Sequence, residues 1–292
     1  MSIINGQLSL PLNKKITKTL AKARCVGSEP TIEVFNTSGE ILVNNLPVGY
    51  VDLIFTSPPY NIGSKAARQD GRRKNGEYDP KSYGGITGYA DNIPEEVYQK
   101  QQIDILSACE KILKRDGVLV YNHKPRRKNG EMIHPMNWLS KVDGLVLMEE
   151  IIWDRGSTHN HSNKLFWPHT ERLYVFRKSS GDYRLLNTDA LKFRSDIWRV
   201  PLTSRPVDGH AAPFPLPLAN AVIKAFTSIN DVVVDPYSGS GTTAVASLIN
   251  RVNFIGSEID ADYHAKSLKR IEATKSRIAK GKINLTAMQE VA

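Results

Sequence analysis

The sequence predicts an α/β fold with a mostly parallel sheet, and two observations carry this prediction. Strand-like apolar segments alternate with helix-like segments along most of the 292 residues. Two of the strand patterns, Val51–Phe55 and Val232–Val234, run directly into polar turns that are rich in proline or glycine. Ligands of open parallel sheets bind just beyond the carboxyl ends of the strands. We therefore expect the two turns to face one cleft.

The individual elements follow from apolar periodicity and from helix stop signals, and no internal repeat interrupts them. The helix that begins at Pro94 is expected to end at Arg115-Asp116-Gly117, because glycine commonly follows a helix. The predicted strands are Thr31–Phe35, Val51–Phe55, Val118–Tyr121, Leu145–Trp153, Arg172–Arg177, Val232–Val234 and Asn253–Glu258. The predicted helices are Pro94–Leu113, Pro135–Lys141, Leu216–Phe226, Thr242–Ile249 and Ala261–Ile278.

Composition favours one large domain with an acidic partner. We expect residues 1–30 to form a basic arm with a short helix, 31–280 a single domain, and 281–292 a tail. Within the domain, 61–91 lacks an apolar period and is expected to be a mobile loop, and 178–209 is expected to be irregular. The net charge of +9 and the pI of about 9.4 make nucleic acid the first candidate partner, although a merely basic protein stays open.

Cysteine usage and hydropathy indicate a soluble protein of a reducing cytoplasm. Cys25 and Cys109 form no Cys-x-x-Cys pair, which argues against a disulfide scaffold and against a thiolate metal site. No apolar run approaches the roughly 18 residues that span a bilayer, and the first residues lack a signal-peptide core, so we expect no membrane partner.

The second turn has the features of a nucleotide-type ligand site. Gly239 and Gly241 permit close backbone approach, and the helix that follows offers free N–H groups. Glu258 ends the next strand, where such sites need an acidic residue for ribose hydroxyls. No Gly-Lys-Ser/Thr follows, which excludes a P-loop. A turn that only packs a strand on a helix remains the simpler alternative.

The first turn, Ser57-Pro58-Pro59-Tyr60, can hold a planar amine. Its prolines cannot donate backbone hydrogen bonds, so Ser57 and the Pro58 carbonyl are left to accept hydrogens from an –NH2 group. Tyr60 offers an aromatic face on which a base can stack. Accepting both hydrogens makes the nitrogen of cytosine or adenine nucleophilic in the transition state. Considered alone, the same string also suits a rigid loop without chemistry.

Together the two strings resemble the β group of S-adenosylmethionine-dependent amino-methyltransferases of DNA, over residues 31–275. The catalytic motif of that family matches Ser57-Pro58-Pro59-Tyr60, and its cofactor motif matches Asp235 to Thr243, with Tyr237 in place of Phe. A His-x-x-x-Phe-Pro element at the methionine end of the cofactor matches His210 to Pro215. Ser38 departs from the pattern, because many relatives carry an Asp there, near the adenine of the cofactor.

The resemblance implies a Rossmann-like methyltransferase fold with helices on both faces and an antiparallel edge hairpin. It implies a bacterial, archaeal or phage-type cytoplasmic enzyme that methylates flipped bases of double-stranded DNA. We expect 154–209, together with the loop 61–91, to read the target sequence. A homodimer and a companion restriction endonuclease are compatible with the resemblance, which decides neither. It assigns cofactor contacts to His210, Phe214, Pro215, Asp235, Pro236, Tyr237, Ser238, Gly239, Ser240, Gly241, Thr242, Thr243, Glu258 and Ile259.

Ser57 resembles the branch that modifies cytosine at N4, with adenine N6 as the alternative target. A catalytically silent nucleic-acid-binding module and an RNA base methyltransferase also stay open. Methylation of cytosine carbon is excluded, because that chemistry needs a Pro-Cys nucleophile and neither cysteine follows proline.

Basic side chains near the catalytic turn are candidates for gripping DNA phosphates, with solvated surface charge as the alternative. No metal is expected, since His159, His161 and His169 match no standard ligand spacing. The proposed phosphate contacts are Arg72, Arg73, Lys74, Lys124, Arg126, Arg127 and Lys128.

Overall fold

The computed structural model describes residues 10–23, 29–62, 93–128, 130–158, 163–182, 184, 186–188, 193–202 and 214–281. Its elements in chain order are α1 (Leu10–Ala23), β1 (Ile32–Phe35), α2 (Gly39–Asn44), β2 (Val51–Thr56), α3 (Glu95–Ile112), β3 (Leu113–His123), β4 (Arg126–Lys128), β5 (Glu131–Ile133), α4 (Met136–Leu139), β6 (Leu145–Asp154), β7 (Thr170–Lys178), β8 (Ile197–Arg199), α5 (Leu216–Phe226), β9 (Val232–Asp235), α6 (Thr242–Ile249), β10 (Asn253–Ser257) and α7 (Ala261–Ala279).

One mixed sheet of eight strands organises the described residues, in the order β1-β10-β9-β2-β3-β7-β6-β8. The five strands from β1 to β3 run parallel. β7 pairs antiparallel with β3 and with β6, and the short β8 runs parallel to β6. This topology confirms the predicted α/β class and the hairpin, whose outer side is covered by β8.

Helices pack on both faces of this sheet, because strand side chains alternate between two apolar layers. Ile54 of β2 points to the layer that holds Leu42 of α2 and Leu106 of α3. Phe55, its neighbour, points to the layer that holds Val222 of α5, together with α6 and α7. A strand buried on both faces explains why Leu53, Ile54 and Phe55 of β2 are all apolar.

The central strands β2 and β9 are fastened at their amino ends by Asp52. Its buried carboxylate accepts the backbone N–H of Val232 at 2.9 Å, so it joins the two strands directly. Lys114 Nζ donates to both oxygens at 2.8 and 2.9 Å, and Arg184 Nη2 donates at 3.1 Å. The hydrogen bonds and the two cations offset the cost of burying the charge.

The structure differs from the predicted helices and strands at four places. β3 starts directly at Leu113, so the helix stop expected at Arg115-Asp116-Gly117 is wrong, and 114–117 form an irregularity between the pairs Val51–Leu113 and Leu53–Val118. Helix α2, the small β4–β5 hairpin and strand β8 were not predicted, because each is too short to show a period.

In the described part of the chain, no helix has the length and apolarity needed to cross a membrane.

We expect Asp52→Ala to destabilise the protein by about 3 kcal/mol, because it leaves the buried N–H of Val232 without its acceptor and removes the carboxylate that Lys114 and Arg184 share. Urea denaturation followed by circular dichroism measures this change. Asp104→Ala is the control, since Asp104 pairs with Lys100 on the exposed surface of α3 and should contribute less than about 0.5 kcal/mol. Equal stabilities of the two variants would contradict the fastening role of Asp52.

Candidate active site

The two signature turns are joined by the side chain of Asp235, the last residue of β9. Thr56, the last residue of β2, donates its hydroxyl to Asp235 Oδ1 at 2.8 Å. Thr243 on α6 donates to Oδ2 at 2.8 Å, and the backbone N–H of Tyr237 donates to Oδ1 at 3.0 Å. Because Thr56 precedes Ser57, the catalytic turn and the glycine turn begin within one hydrogen bond of each other.

Asp235 is fully enclosed, and burial raises the pKa of its carboxyl to about 6, against the three hydrogen bonds that lower it. Both oxygens are occupied by donors of the protein itself. The carboxylate therefore braces the two turns, and a cofactor contact from Asp235 stays a prediction.

Glu258 at the end of β10 holds the glycine turn from the other side. Its Oε2 accepts the backbone N–H of Gly239 at 2.9 Å, and its Oε1 accepts that of Asp260 at 2.8 Å. Burial raises the pKa of Glu258 to about 7, while the two amide donors act in the opposite direction. Each oxygen keeps a lone pair, so the carboxylate can still accept a ligand hydroxyl.

The backbone of the turn needs its glycines. Gly241 has a φ of 81°, and a Cβ there would lie 2.9 Å from the Cβ of Ser267 on α7. Arg270, one turn further along α7, donates to the carbonyl of Ser240 at 2.7 Å and to its hydroxyl at 2.9 Å. Helix α7 therefore fixes the shape of the glycine turn. In the same turn, Ser238 Oγ is buried without a hydrogen-bond partner.

The residues around the glycine turn include other predicted cofactor contacts. Phe214 packs its ring against Phe55 of β2, with centroids 4.9 Å apart, and Pro215 is the N-cap residue of α5. Ile259 is partly exposed beside Glu258. Ser38, which replaces the expected Asp, accepts the N–H of Ile41 and caps α2. His210 lies outside the described residues.

The catalytic turn is held rigidly from beneath by Tyr98 of α3. The Tyr98 hydroxyl lies 2.8 Å from the Pro59 carbonyl and 2.9 Å from Nε2 of the buried His123. Burial lowers the pKa of His123 well below its usual value, so the ring is neutral at pH 7. Asn61 closes the turn with a φ of 54°, and its side-chain amide pairs with the backbone of Ile93 at 2.9 and 3.0 Å.

The Tyr60 hydroxyl lies at the centre of a polar cluster. It is 3.0 Å from Glu171 Oε2, 3.1 Å from Asn122 Oδ1 and 3.1 Å from Ser57 Oγ. Burial and the nearby Glu171 raise the pKa of Tyr60 well above its usual value, so the hydroxyl keeps its hydrogen. A carboxylate is the strongest acceptor among the three, and Tyr60 donates to it.

This assignment also orients the hydroxyl group of Ser57. With the hydrogen of Tyr60 committed to Glu171, the contact between the two hydroxyls is made by the hydrogen of Ser57. The oxygen of Ser57 then keeps both of its lone pairs, and these can accept hydrogens from a ligand. The half-buried ring of Tyr60 also contacts His123 at a centroid distance of 4.3 Å, and base stacking on it stays a prediction.

Sequence reasoning missed Asn122, Glu171 and Arg155. Asn122 follows the strand pattern of β3, so the rule that located the other two turns also applies to it. Glu171 lies on β7 and Arg155 directly follows β6. The two side chains pair at 3.1 Å, and no local pattern in the sequence shows this contact.

The predicted phosphate contacts have different surroundings in the structure. Arg126 is wrong as a phosphate contact: its buried guanidinium donates to both oxygens of Glu95 at 2.7 and 3.0 Å and lies over the ring of Tyr98. Lys124 places its ammonium 5.5 Å from the centre of the Tyr60 ring, and Arg127 and Lys128 are exposed on the β4–β5 hairpin. Arg72, Arg73 and Lys74 lie outside the described residues.

The described residues contain no group of three or more potential metal ligands, and His159 and His161 lie outside them.

Comparison with curated proteins and solved structures finds DNA methyltransferases. The DNA adenine methyltransferase YhdJ of Escherichia coli is 22% identical over 259 residues, which cover 79% of this chain and 79% of YhdJ. Matches to two longer Bacillus methyltransferases, M.BslI and M.BglI, span only 22% and 38% of those proteins.

Two solved structures share the fold. The cytosine-N4-specific PvuII DNA methyltransferase superposes with a TM-score of 0.64 and 18% identity, covering 87% of this chain and 96% of its own. TTHA0409 of Thermus thermophilus, a DNA modification methylase complexed with S-adenosyl-L-methionine, gives a TM-score of 0.60 at 21% identity, covering 84% and 94%. A family model described as DNA methylase matches residues 51–269, and the chain therefore belongs to this N6/N4 DNA methylase family.

Proposed function

We propose that this DNA methyltransferase transfers a methyl group from S-adenosylmethionine to N4 of cytosine in duplex DNA. The observation that carries the proposal is the hydrogen bond between Thr56 and Asp235, because it sets the amine-binding corner beside the glycine turn. In-line transfer needs the two reacting groups side by side in a fixed orientation.

The residues of the glycine turn fit the methyl donor. Ser238 Oγ is buried without a partner, and the left-handed φ angles of Gly239 and Gly241 bring the backbone close to a ligand. Glu258 has acceptor capacity for ribose hydroxyls, and α6 begins at Gly241 without a side-chain cap. When bound, S-adenosylmethionine supplies an electrophilic methyl group on a sulfonium.

The catalytic turn prepares the amine. Ser57 Oγ and the Pro58 carbonyl accept its two hydrogens, which draws the nitrogen out of conjugation with the ring and exposes its lone pair. Tyr60 and Glu171 keep the hydrogen of Ser57 turned away, so the hydroxyl acts as an acceptor. The proton released after transfer passes to solvent, because a serine is too weak a base to remove it.

The neutral Ser57 supports cytosine N4 as the target, as in the Ser-Pro-Pro-Tyr branch that the sequence resembles. Adenine N6 is the second candidate, and the name of the relative YhdJ, a DNA adenine methyltransferase, favours it. Both amines present the same pair of hydrogens to the turn.

The proposed DNA surface lies along the carboxyl edge of the sheet. Lys124, Arg127 and Lys128 follow the end of β3, and the chain leaves β6 after Asp154 at the same edge of the sheet. These cations would contact phosphates, while 154–209 would read the sequence.

The test is incorporation of radiolabelled methyl groups from S-adenosylmethionine into plasmid DNA, with duplex RNA in parallel, followed by methylation-aware sequencing. We expect N4-methylcytosine at one sequence. N6-methyladenine would establish the second candidate. Label in RNA alone would show an RNA enzyme, and no label in either would show a silent nucleic-acid-binding module.

We expect Ser57→Ala to lower kcat by a factor on the order of 100, because it removes one of two acceptors that act in the transition state. The Kd for S-adenosylmethionine, measured by calorimetry, should stay unchanged. Ser276→Ala, an exposed serine on α7, is the matched control. A Ser57→Ala variant with the wild-type kcat would remove Ser57 from the mechanism.

The affinity for S-adenosylmethionine should rise about tenfold between pH 6 and pH 8, because only ionised Glu258, with its pKa of about 7, holds both the turn and the ribose. Calorimetry at pH 6, 7 and 8 measures this. Glu258→Gln should bind more weakly, with a flatter profile.

The α-amino group of the ligand also titrates near pH 8. The pH dependence of Glu258→Gln therefore supplies the reference, and Glu272→Gln, on the exposed face of α7, should behave as the wild type. Identical pH slopes for wild type and Glu258→Gln would contradict the assignment.

A further inference from the structure

An exposed apolar tip projects from the loop between β6 and β7. The tip consists of Leu165, Phe166 and Trp167, whose side chains are 46%, 102% and 50% exposed. Phe166 has the highest exposure among the large hydrophobic residues that the structure describes. Contiguous exposed apolar side chains of this size mark interaction sites.

The position of the tip is set by the strand register. His123 at the end of β3 pairs with Arg172 near the start of β7, and Tyr121 pairs with Thr56 at the end of β2. The loop that precedes β7 therefore leaves the sheet at the edge where Ser57 begins the catalytic turn.

Arg155 connects the tip to that turn. Its Nη2 donates to the Pro168 carbonyl at 2.7 Å, directly after Trp167, and its Nη1 donates to Glu171 Oε1 at 3.1 Å. The other oxygen of Glu171 accepts the hydroxyl of Tyr60 at 3.0 Å. Since Arg155 and Glu171 are buried, the base of the tip is held at a fixed offset from Tyr60.

We propose that Phe166 enters the base stack of duplex DNA and fills the space that the target base leaves when it moves to Tyr60. The inference rests on the proposed function. The occupant is duplex DNA, because Lys164 and the exposed Arg127 and Lys128 at the same edge suit a polyanion. Apolar wedges that separate stacked bases are a general means of distorting a duplex, and an aromatic ring can replace the lost stacking.

Phe166→Ala tests the inference on oligonucleotide duplexes that carry the methylated sequence once it has been mapped. On the intact duplex, kcat/KM should fall by about 10- to 100-fold, because no aromatic ring then replaces the stacking that is lost when the base pair opens. On a duplex with an abasic site opposite the target base, the variant should come within about threefold of the wild type, since that base is already unpaired. Phe166→Trp should retain activity on both.

Ile229→Ala is the matched control, because Ile229 is 55% exposed and lies just before β9, at the opposite edge of the sheet. It should equal the wild type on both substrates. Calorimetry should give the same Kd for S-adenosylmethionine in all variants, which shows that the cofactor site is intact.

Wild-type rates for Phe166→Ala on the intact duplex, or an equal loss on both duplexes, would overturn the wedge. A change from dimer to monomer in sedimentation of Phe166→Ala would also overturn it, since the tip would then face a second copy of the chain. A wild-type protein that methylates no duplex DNA would overturn the proposed function itself.

Discussion

The carboxylate of Asp235 is the interaction on which the rest of the site depends. Strands β2 and β9 lie side by side in the sheet, but parallel pairing alone does not fix how the turns beyond their ends face each other. Thr56 and Thr243 each occupy one oxygen of Asp235, so one buried group sets the catalytic turn, the glycine turn and the start of α6. Asp52 fastens the same two strands at their other ends. Burial of Asp235 costs free energy, which its three hydrogen bonds offset.

A second buried carboxylate, Glu171, performs a related task beside Tyr60. It receives the hydrogen of Tyr60 and thereby turns Ser57 into an acceptor, and it holds Arg155, which supports the exposed loop before β7. The two carboxylates have different roles, because Asp235 aligns the two turns and Glu171 orients the hydroxyl groups of Tyr60 and Ser57. The two sets of hydrogen bonds meet along the chain, because Thr56, which donates to Asp235, directly precedes Ser57, which contacts Tyr60.

Most elements of the fold were predictable, because strands such as β9 and helices such as α5 carry their period within their own sequence. The positions of Ser57 and Glu258 followed from the rule that sites lie beyond strand ends. The partners of these residues were not predictable. Arg126 was expected on the surface because it lies in a basic run, yet Glu95, 31 residues away in sequence, draws it inside. Asp235 was expected to face the cofactor, and only the contact with Thr56, 179 residues away in sequence, shows its bracing role.

Replacing Thr56 by valine tests the central claim most directly, because it removes the hydroxyl while keeping the shape of the side chain. We expect kcat for methyl transfer to fall by about 100-fold, since misalignment of the turns affects the reaction geometry. The Kd for S-adenosylmethionine should change less than about threefold, because Asp235 keeps its bonds to Thr243 and Tyr237. Thr56→Ser, which retains the hydroxyl, should stay near the wild-type kcat. A folded Thr56→Val protein with the wild-type kcat would contradict the account.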